Sequence, residues 1–569
     1  MNPATLQTGE IRAPGTAMRK PPLRRPMTGD RSAAIVVGAI IAVVLMQAVM
    51  VFTRAVNWDE FWFYVLIDQY RHGQLLQPLQ TFHVRLFGWL AELPGNNLDH
   101  ILMARLLMLG CEVATIASIA VIARRFVEWP AALLAALAYV SAGFVMQHGF
   151  SFRTDPVATA CLMGALAVLV RSRLDAKWIA AFAVLVGLAA IVTIKVVLYA
   201  PVFAGLAWLR WSEAGLGRAM LIRLALAGAA SVAAFALFYL WHASGLPAAG
   251  NAGGTAVPKS AAGWVFFLGV PPYFDMIGKA IATAPILAIA IACAPVAIWK
   301  SSLDRAEKIA LTGCWLPALS PAFYINTAAY FYVFMLAPVA VACAVPLAMV
   351  GRRYGHALAA ALLMAMAVMI FVKEDRTIIE RQRLLIEEAQ GVFPTRVAYF
   401  DLDGMIPVHD KANWLMTPST VANYQAAGEP SFLAAMNERP VPLLLNNWDG
   451  FDAILTGADK EEYGGLLLPE DEAALKNNYV HLWGPLWVAG RDVPAAGKAG
   501  GGDWLIPGAY RIGSGPVVID GRRHEPGDIV RIARGPHDVR SLGTASRIIW
   551  ADAKRPSRNW DEGELYELF

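Results

Sequence analysis

Residues 33–64 read AAIVVGAIIAVVLMQAVMVFTRAVNWDEFWFY. The first twenty of these residues carry no charge, and a helix of about 20 apolar residues is long enough to cross the hydrocarbon of a bilayer. Asp59 and Glu60 follow, among aromatic residues of the kind that gather at the membrane–water interface. The stretch therefore predicts a first transmembrane helix over 33–52 and an acidic pair at the membrane surface.

The composition of the 569-residue chain extends this interpretation to most of its length. Hydrophobic residues make up 57% and charged residues 16%, with a mean hydropathy of +0.47. Soluble domains contain about 25% charged residues, so the composition excludes a disordered chain and disfavours an ordinary soluble enzyme. No basic strip interleaved with aromatic residues occurs in the sequence, so nucleic acid is not an expected partner.

We predict eleven transmembrane helices. The 32 residues between Lys177 and Arg210 are almost all apolar and too many for one ordinary span. We interpret them as two short helices that meet near Lys195. The other nine spans are expected near 33–52, 101–123, 130–149, 156–170, 222–241, 280–299, 309–326, 328–350 and 357–372.

The distribution of charge sets the expected orientation of these helices. The segments assigned to the inside hold 19 Lys and Arg residues, against 7 in the opposite short loops, as the positive-inside rule requires. Residues 1–32 are then a disordered cytoplasmic tail, and the odd number of spans places residues 373–569 outside. Alanine-rich helices favour a bacterial inner membrane, so the outer side is the periplasm.

The water-soluble part has a different charge from the rest. Residues 373–569 carry a net charge of −8, against +12 for residues 1–372. We expect an α/β domain over 373–498 and a small antiparallel β-rich module over 499–569. A helix near 384–390 and strands near 397–401 and 442–446 are predicted for the former, and strands near 508–512, 516–520 and 528–532, between Gly-rich turns, for the latter.

Ionisable side chains at one depth of this arrangement mark a candidate site. An ionisable group in or beside hydrocarbon is costly and often functional. Four separate regions bring such groups to the expected periplasmic boundary: Asp59 with Glu60, Arg105, Arg153 with Asp155, and Lys195.

Three of these groups also have a purely structural explanation. Asp155, before Pro156, can cap a helix. Arg105 and Glu112 are seven residues apart, on one helix face, and can pair. Lys195 interrupts an apolar run, and its structural alternative is to extend its ammonium group to the interface.

At these residues the chain resembles the GT-C glycosyltransferases, and within them the branch (families 39 and 83) of the protein O-mannosyltransferases and the lipid A aminoarabinose transferase. The resemblance covers residues 33–372. Where that family often has a basic residue and a Tyr entering a late span, residues 326–332 of this chain include Tyr330 but no basic residue. The segments that carry the resemblance are Asn57–Tyr64, Gln77–Leu79, Phe82–Trp89, Ala104–Leu107, Phe152–Pro156 and Thr193–Pro201.

The resemblance implies transfer of a sugar, with inversion, from a polyprenyl-phosphate donor to a hydroxyl of a lipid, glycan or protein acceptor. Asp59 is expected to accept the proton of that hydroxyl, with Asp155 and Glu60 as further catalytic carboxylates. No cofactor is assigned from the sequence, and a divalent cation shared by Asp59 and Asp155 is left open. The donor phosphate gains negative charge as it leaves and is expected to contact three basic residues: Lys195, Arg105 and Arg153.

Three other functions remain as alternatives. A polysaccharide ligase or polymerase would use a lipid-diphosphate donor and is expected to have catalytic Arg and His in a large outer loop. A transporter is expected to show internal symmetry and broken helices at mid-membrane. A non-catalytic glycan-binding membrane protein would not need the charged groups at the boundary.

Overall fold

The computed structural model describes residues 29–247, 273–495 and 502–567. Residues 1–28 of the expected tail and the boundary expected at 498 lie outside the described residues. The membrane part contains α1 (Gly29–Thr53), α2 (Trp58–Arg71), α3 (His83–Phe87), α4 (Asn97–Ala123), α5 (Trp129–Val140), α6 (Gly143–His148), α7 (Thr154–Arg171), α8 (Ala176–Val192), α9 (Ala200–Glu213), α10 (Arg218–Ala243), α11 (Phe274–Thr283), α12 (Pro285–Lys300), α13 (Arg305–Trp315), α14 (Phe331–Tyr354) and α15 (His356–Lys373).

Seven helical stretches within the described ranges are long and apolar enough to cross a membrane, so the chain is a multi-pass membrane protein. The predicted helical membrane architecture is confirmed, whereas the count of eleven spans stays a prediction. Helices α11 and α12 meet at a bend of 104° and add an eighth crossing if the pair is one span, and α5 and α8 are shorter apolar helices. The seven stretches are α1, α4, α7, Ile194–Glu213, α10, α14 and α15.

The long apolar run before Arg210 forms two short helices, as predicted. Helix α8 ends at Val192, and a 3-10 turn over Ile194–Tyr199 leads into α9. The Thr193 hydroxyl accepts a hydrogen bond from the Lys195 backbone N–H at 3.4 Å, which caps the turn. Lys195 therefore lies at the junction of the two helices.

Two other predicted spans are interrupted. The span expected over 130–149 divides into α5 and α6, with a break at Ser141 and Ala142. The span expected over 309–326 ends as an α-helix at Trp315 and continues as a 3-10 turn over Leu316–Ala322. That turn contains two prolines, which lack the N–H that an α-helix needs.

The C-terminal part combines helices with a mixed sheet. Strands β1 and β3, and the helix over 384–390, lie where the sequence predicts them. The elements are α16 (Thr377–Val392), α17 (Pro418–Ala427), α18 (Ser431–Glu438), α19 (Asp449–Leu455), α20 (Lys460–Tyr463), α21 (Pro469–Asn478), and strands β1 (Ala398–Phe400), β2 (Asp410–Lys411), β3 (Leu443–Leu445), β4 (Tyr479–Trp483), β5 (Leu486–Val493), β6 (Gly502–Trp504), β7 (Gly508–Ile512), β8 (Val517–Ile519), β9 (Arg522–His524), β10 (Ile529–Ile532), β11 (Gly535–His537), β12 (Val539–Ser541) and β13 (Ser546–Trp550).

Strand β5 joins the two parts of this C-terminal region. It pairs antiparallel with β3 over Leu486–Val488 and with β13 over Gly490–Val493. The order of the main sheet is β10-β7-β13-β5-β3-β1-β2, with β4 also paired to β5, and β1 is parallel to both β2 and β3. The division into 373–498 and 499–569 stays a prediction, and strands from either side of it belong to one sheet.

His409 is buried in this region, with 1% of its surface exposed, against the rings of Phe393 and Tyr399. Burial lowers the pKa of His409 to about 4. An unfolded histidine takes up a proton near pH 6.5, so between these values the unfolded chain binds more protons than the folded one. Stability is then lost as pH falls from about 6.5 towards 4.

Substitution His409→Gln should remove this acid sensitivity. The loss of unfolding free energy between pH 7 and pH 5 should become smaller by about 2 kcal/mol. Denaturant unfolding of the detergent-solubilised protein at both pH values measures it, with His481→Gln, an exposed histidine, as the control. If the wild type and His409→Gln lose the same unfolding free energy between pH 7 and pH 5, His409 takes up its proton in the folded protein and the prediction is wrong.

Candidate active site

The first turn of α2 presents two consecutive carboxylates in different directions. Asn57 caps the helix: its side-chain oxygen accepts a hydrogen bond from the Asp59 backbone N–H at 3.0 Å, and the Glu60 carboxylate accepts from the Asn57 N–H at 3.2 Å. Such a reciprocal cap fixes the first turn. Glu60 then meets Arg105, whereas Asp59 meets Arg153.

The buried ion pair of Glu60 and Arg105 is saturated with hydrogen bonds. Arg105 donates to the two Glu60 oxygens at 2.8 and 2.6 Å. Its remaining N–H groups donate to backbone carbonyls, so all five donors of the guanidinium have acceptors. Those carbonyls belong to Val51, Arg54 and Ala55, at 3.2, 2.9 and 2.8 Å.

Because of this saturation, a ligand could reach Glu60 or Arg105 only by breaking existing hydrogen bonds. Both residues are buried, and Glu60 also accepts from the Phe152 backbone N–H at 2.7 Å. The alternative pairing of Arg105 with Glu112 is wrong, because Glu112 accepts instead from the Gln47 side chain at 3.0 Å. The pair holds α1, α2, α4 and the loop before α7 together.

The other four predicted groups form a chain of ion pairs. Asp59 pairs with Arg153, whose Nε lies 3.6 Å from Asp155 Oδ2. Lys195 Nζ donates to Asp155 Oδ1 at 2.6 Å. Residues from α2, the loop before α7, α7 itself and the turn after α8 thus converge, as the sequence predicts. Their side chains carry two negative and two positive charges.

The chain differs from the saturated pair in exposure and in hydrogen bonding. Asp59 has the most exposed of its four side chains, at 13%, against 1% for Asp155. Arg153 Nε and Asp155 Oδ2 are buried and make no hydrogen bond within the described residues. The chain therefore retains polar atoms that can accept another partner.

Tyr330 is a site residue that sequence reasoning missed. It directly precedes α14, where the sequence offered no basic residue, and its ring faces both cations of the chain. The Arg153 guanidinium lies 3.3 Å from the ring centroid and the Lys195 ammonium 5.3 Å. The sequence did offer one indication, because the entry to this late span carries an aromatic residue and no basic one. A ring face attracts cations, whereas a basic residue would repel them.

A divalent cation does not fit the described site. No group of three or more His, Cys, Asp or Glu side chains in the described ranges is arranged to hold a metal ion. The Arg153 guanidinium contacts both Asp59 and Asp155, and it takes the position that a shared cation would need. Asp59 and Asp155 are therefore bridged by Arg153 and not by a metal ion.

A small hollow of about 10 Å³ lies on the Glu60 side of the first turn of α2. It lies next to the end of α1 and to the loop before α7. Its lining consists of Arg54, Ala55, Val56, Asn57, Glu60, His148, Ser151 and Glu567.

Comparison with solved structures identifies the fold. The crystal structure of ArnT from Cupriavidus metallidurans bound to undecaprenyl phosphate matches with a TM-score of 0.52 and 16% identity, over 75% of this chain and 95% of that one. The apo form of the same protein gives 0.49 and 13%, over the same shares. An Archaeoglobus fulgidus oligosaccharyltransferase gives 0.49 and 12%, over 88% of this chain and 76% of that one.

These neighbours are GT-C glycosyltransferases, and the chain has the GT-C fold. The resemblance seen in the sequence is confirmed at the level of the fold. Neither a family model nor a curated protein matches the sequence.

Substitution Arg105→Met should strongly destabilise the protein, because it leaves Glu60 buried without its partner. Removing one partner of a buried ion pair costs about 3–5 kcal/mol. Thermal unfolding and the yield of monodisperse protein in detergent measure the effect. Arg352→Met, which breaks an exposed pair with Glu128, is the matched control. The double variant Glu60→Gln/Arg105→Met should recover part of the loss, and an Arg105→Met protein as stable as the wild type would contradict the structural role.

Proposed function

We propose that this protein transfers a sugar from a polyprenyl-phosphate carrier to a hydroxyl group of a lipid, glycan or protein acceptor, at the periplasmic face of a bacterial inner membrane. The observation that carries the proposal is the chain of ion pairs from Asp59 to Lys195, drawn from three separate regions of the sequence. The GT-C fold supports it, as does the undecaprenyl phosphate bound to the structural neighbour ArnT.

Asp59 is the proposed general base. An attacking hydroxyl must lose its proton as it bonds to the anomeric carbon of the sugar, and a carboxylate can accept that proton. Of the four groups in the chain, Asp59 has the most exposed side chain, so an acceptor reaches it first. A single displacement of this kind inverts the anomeric carbon.

Lys195 and Arg153 are the proposed contacts of the donor phosphate. Each of these cations is paired with a carboxylate. An incoming phosphate therefore has to replace Asp59 beside Arg153 and Asp155 beside Lys195. When the phosphate takes Arg153 from Asp59, the Asp59 carboxylate is released to accept a proton. Binding of the donor would thus prepare the base, and the positive charges would remain beside the phosphate as it leaves.

The remaining residues of the site would hold the reacting groups in position: Tyr330, Asp155, Glu60 and Arg105. The Tyr330 ring holds the two cations while they change partners, and cation–π contacts are worth about 0.5–2 kcal/mol. Asp155 holds Lys195. Glu60 and Arg105 fix the first turn of α2. Because all five Arg105 donors already have acceptors, we assign the phosphate to Lys195 and Arg153 and not to Arg105.

Substitution Asp59→Asn should abolish transfer while leaving carrier binding at least as tight as in the wild type. It removes the base and also removes the negative charge that competes for Arg153. Transfer is measured with purified protein, undecaprenyl-phosphate-linked sugars and an envelope lipid extract, and binding with undecaprenyl phosphate alone. Glu92→Gln, at an exposed position, is the control. Transfer by Asp59→Asn near the wild-type rate would exclude Asp59 as the base.

Substitution Lys195→Met should weaken undecaprenyl phosphate binding and transfer by about a hundredfold, the usual effect of losing one charge-stabilising group. Lys177→Met, at the exposed start of α8, is the matched control and should bind normally. Because Lys195→Met leaves Asp155 unpaired, Lys195→Met/Asp155→Asn is made in parallel to keep the region neutral. Normal binding by this folded double variant would remove Lys195 from the phosphate site.

A further inference from the structure

Residues 564–567, here called the tail segment, return from the C-terminal domain to the membrane part. They follow β13 after an irregular stretch and end against the residues that connect α1 to α2. Arg54, just after α1, pairs with Glu567 at 2.6 Å, and the Trp58 ring meets the Tyr566 ring edge-on at 5.8 Å. Asp59 is the next residue after Trp58.

Gln382 of α16 links the tail segment to the same connection. Its side-chain amide donates to Val56 O at 2.7 Å and to Leu565 O at 2.8 Å, and its oxygen accepts from the Val56 N–H at 2.8 Å. The Gln382 side chain is fully buried. One amide thus satisfies both backbone groups of Val56 and holds the tail segment beside it, and buried polar groups of this kind are costly to leave unpaired.

The tail segment is itself fixed to the C-terminal domain. The Tyr566 hydroxyl donates to Asp403 Oδ2 at 2.9 Å and accepts from the Asn447 side chain at 2.9 Å. Tyr566, Asp403 and Asn447 are all buried. Tyr566 therefore couples the sheet of the C-terminal domain to Trp58 in the first turn of α2.

The same domain also holds the other end of α2. Arg396, just before β1, pairs with Asp68 at 2.9 Å, in the last turn of α2. The helix that bears Asp59 is thus held at both ends by a domain that contributes no group to the chain of ion pairs. The first-turn attachment matters more for Asp59, because it lies one residue away.

We infer that the tail segment is a positioning element of the active site, which acts through Trp58 and the 54–56 connection to hold Asp59 against Arg153. The inference rests on the proposed function, since it gives the C-terminal domain a role in that reaction. A reacting group misplaced by about 1 Å can cost about a hundredfold in rate. Loss of the tail contacts should therefore lower turnover and leave carrier binding intact, because Lys195, a proposed phosphate contact, is held by Asp155 of α7 and not by α2.

The test compares Tyr566→Ala and Tyr566→Phe with Trp560→Ala. Tyr566→Phe keeps the ring on Trp58 and loses the hydroxyl contacts. Trp560 belongs to the same terminal stretch but packs on Trp483, within the C-terminal domain, so its substitution is the matched aromatic control. Titration with undecaprenyl phosphate counts the binding-competent molecules in each preparation. Turnover with the undecaprenyl-phosphate-linked sugars is then expressed per competent molecule.

Tyr566→Ala is expected to lower turnover per competent molecule by about tenfold or more, with the Kd for undecaprenyl phosphate within about twofold of the wild type. Tyr566→Phe should recover most of that loss, and Trp560→Ala should behave as the wild type. A purely structural role for Tyr566 would reduce the number of competent molecules and leave their turnover unchanged, and that result would overturn the inference. If the wild-type protein transfers no sugar from undecaprenyl-phosphate-linked donors, the proposed function fails. If the wild type is active and Tyr566→Ala turns over normally, only the positioning role fails.

Discussion

The structure depends on one buried guanidinium. Arg105 lies where the apolar part of α4 meets the end of α1, a position at which an unpaired charge would be very costly. Its five donors find two carboxylate oxygens and three carbonyls at the end of α1. Because those carbonyls lie at and just beyond the last turn of α1, Arg105 closes the end of that helix and fixes the direction in which the chain leaves it. The position of α2, and so of Asp59, follows from this.

The two consecutive acids at the start of α2 consequently differ in how fully their carboxylates are hydrogen-bonded and buried. Glu60 is saturated by Arg105 and by backbone N–H groups, so a ligand would have to break several hydrogen bonds to reach it. Asp59 has one basic partner and a partly exposed side chain. The difference arises from the helical turn, which sends adjacent side chains about 100° apart. One acid faces the bundle and the other faces the chain of ion pairs.

The sequence predicted the architecture and most members of the site, because both rest on local signals. Apolar length marks helices, and a charge in an apolar run marks the boundary, so the sequence predicted that Asp59, Asp155 and Lys195 lie at one depth. The partner of each charge was less predictable. Arg105 could pair with Glu112 or Glu60, and only packing decides between a residue seven positions away and one 45 positions away.

Tyr330 and the tail segment were missed for a related reason. Tyr330 carries no charge, and its role comes from the face of its ring, which the sequence does not orient. Residues 564–567 read as an ordinary acidic stretch, because nothing local shows that they return to α1. Interactions across more than 300 positions, such as that between Val56 and Gln382, are set by the tertiary fold alone.

The balance of charge in the site explains how a membrane protein can keep four ionised groups near the hydrocarbon. Two carboxylates and two cations in alternation leave no net charge, and each cation has a carboxylate partner. That arrangement is stable without a ligand, yet it also opposes ligands, because a phosphate must compete with carboxylates already in place. In the proposed reaction Tyr330 eases the exchange, since its ring faces both cations and does not compete as an anion. In the proposed reaction, two molecules meet these requirements: the lipid-phosphate sugar brings a phosphate for the cations, and the acceptor hydroxyl brings a proton for the released carboxylate.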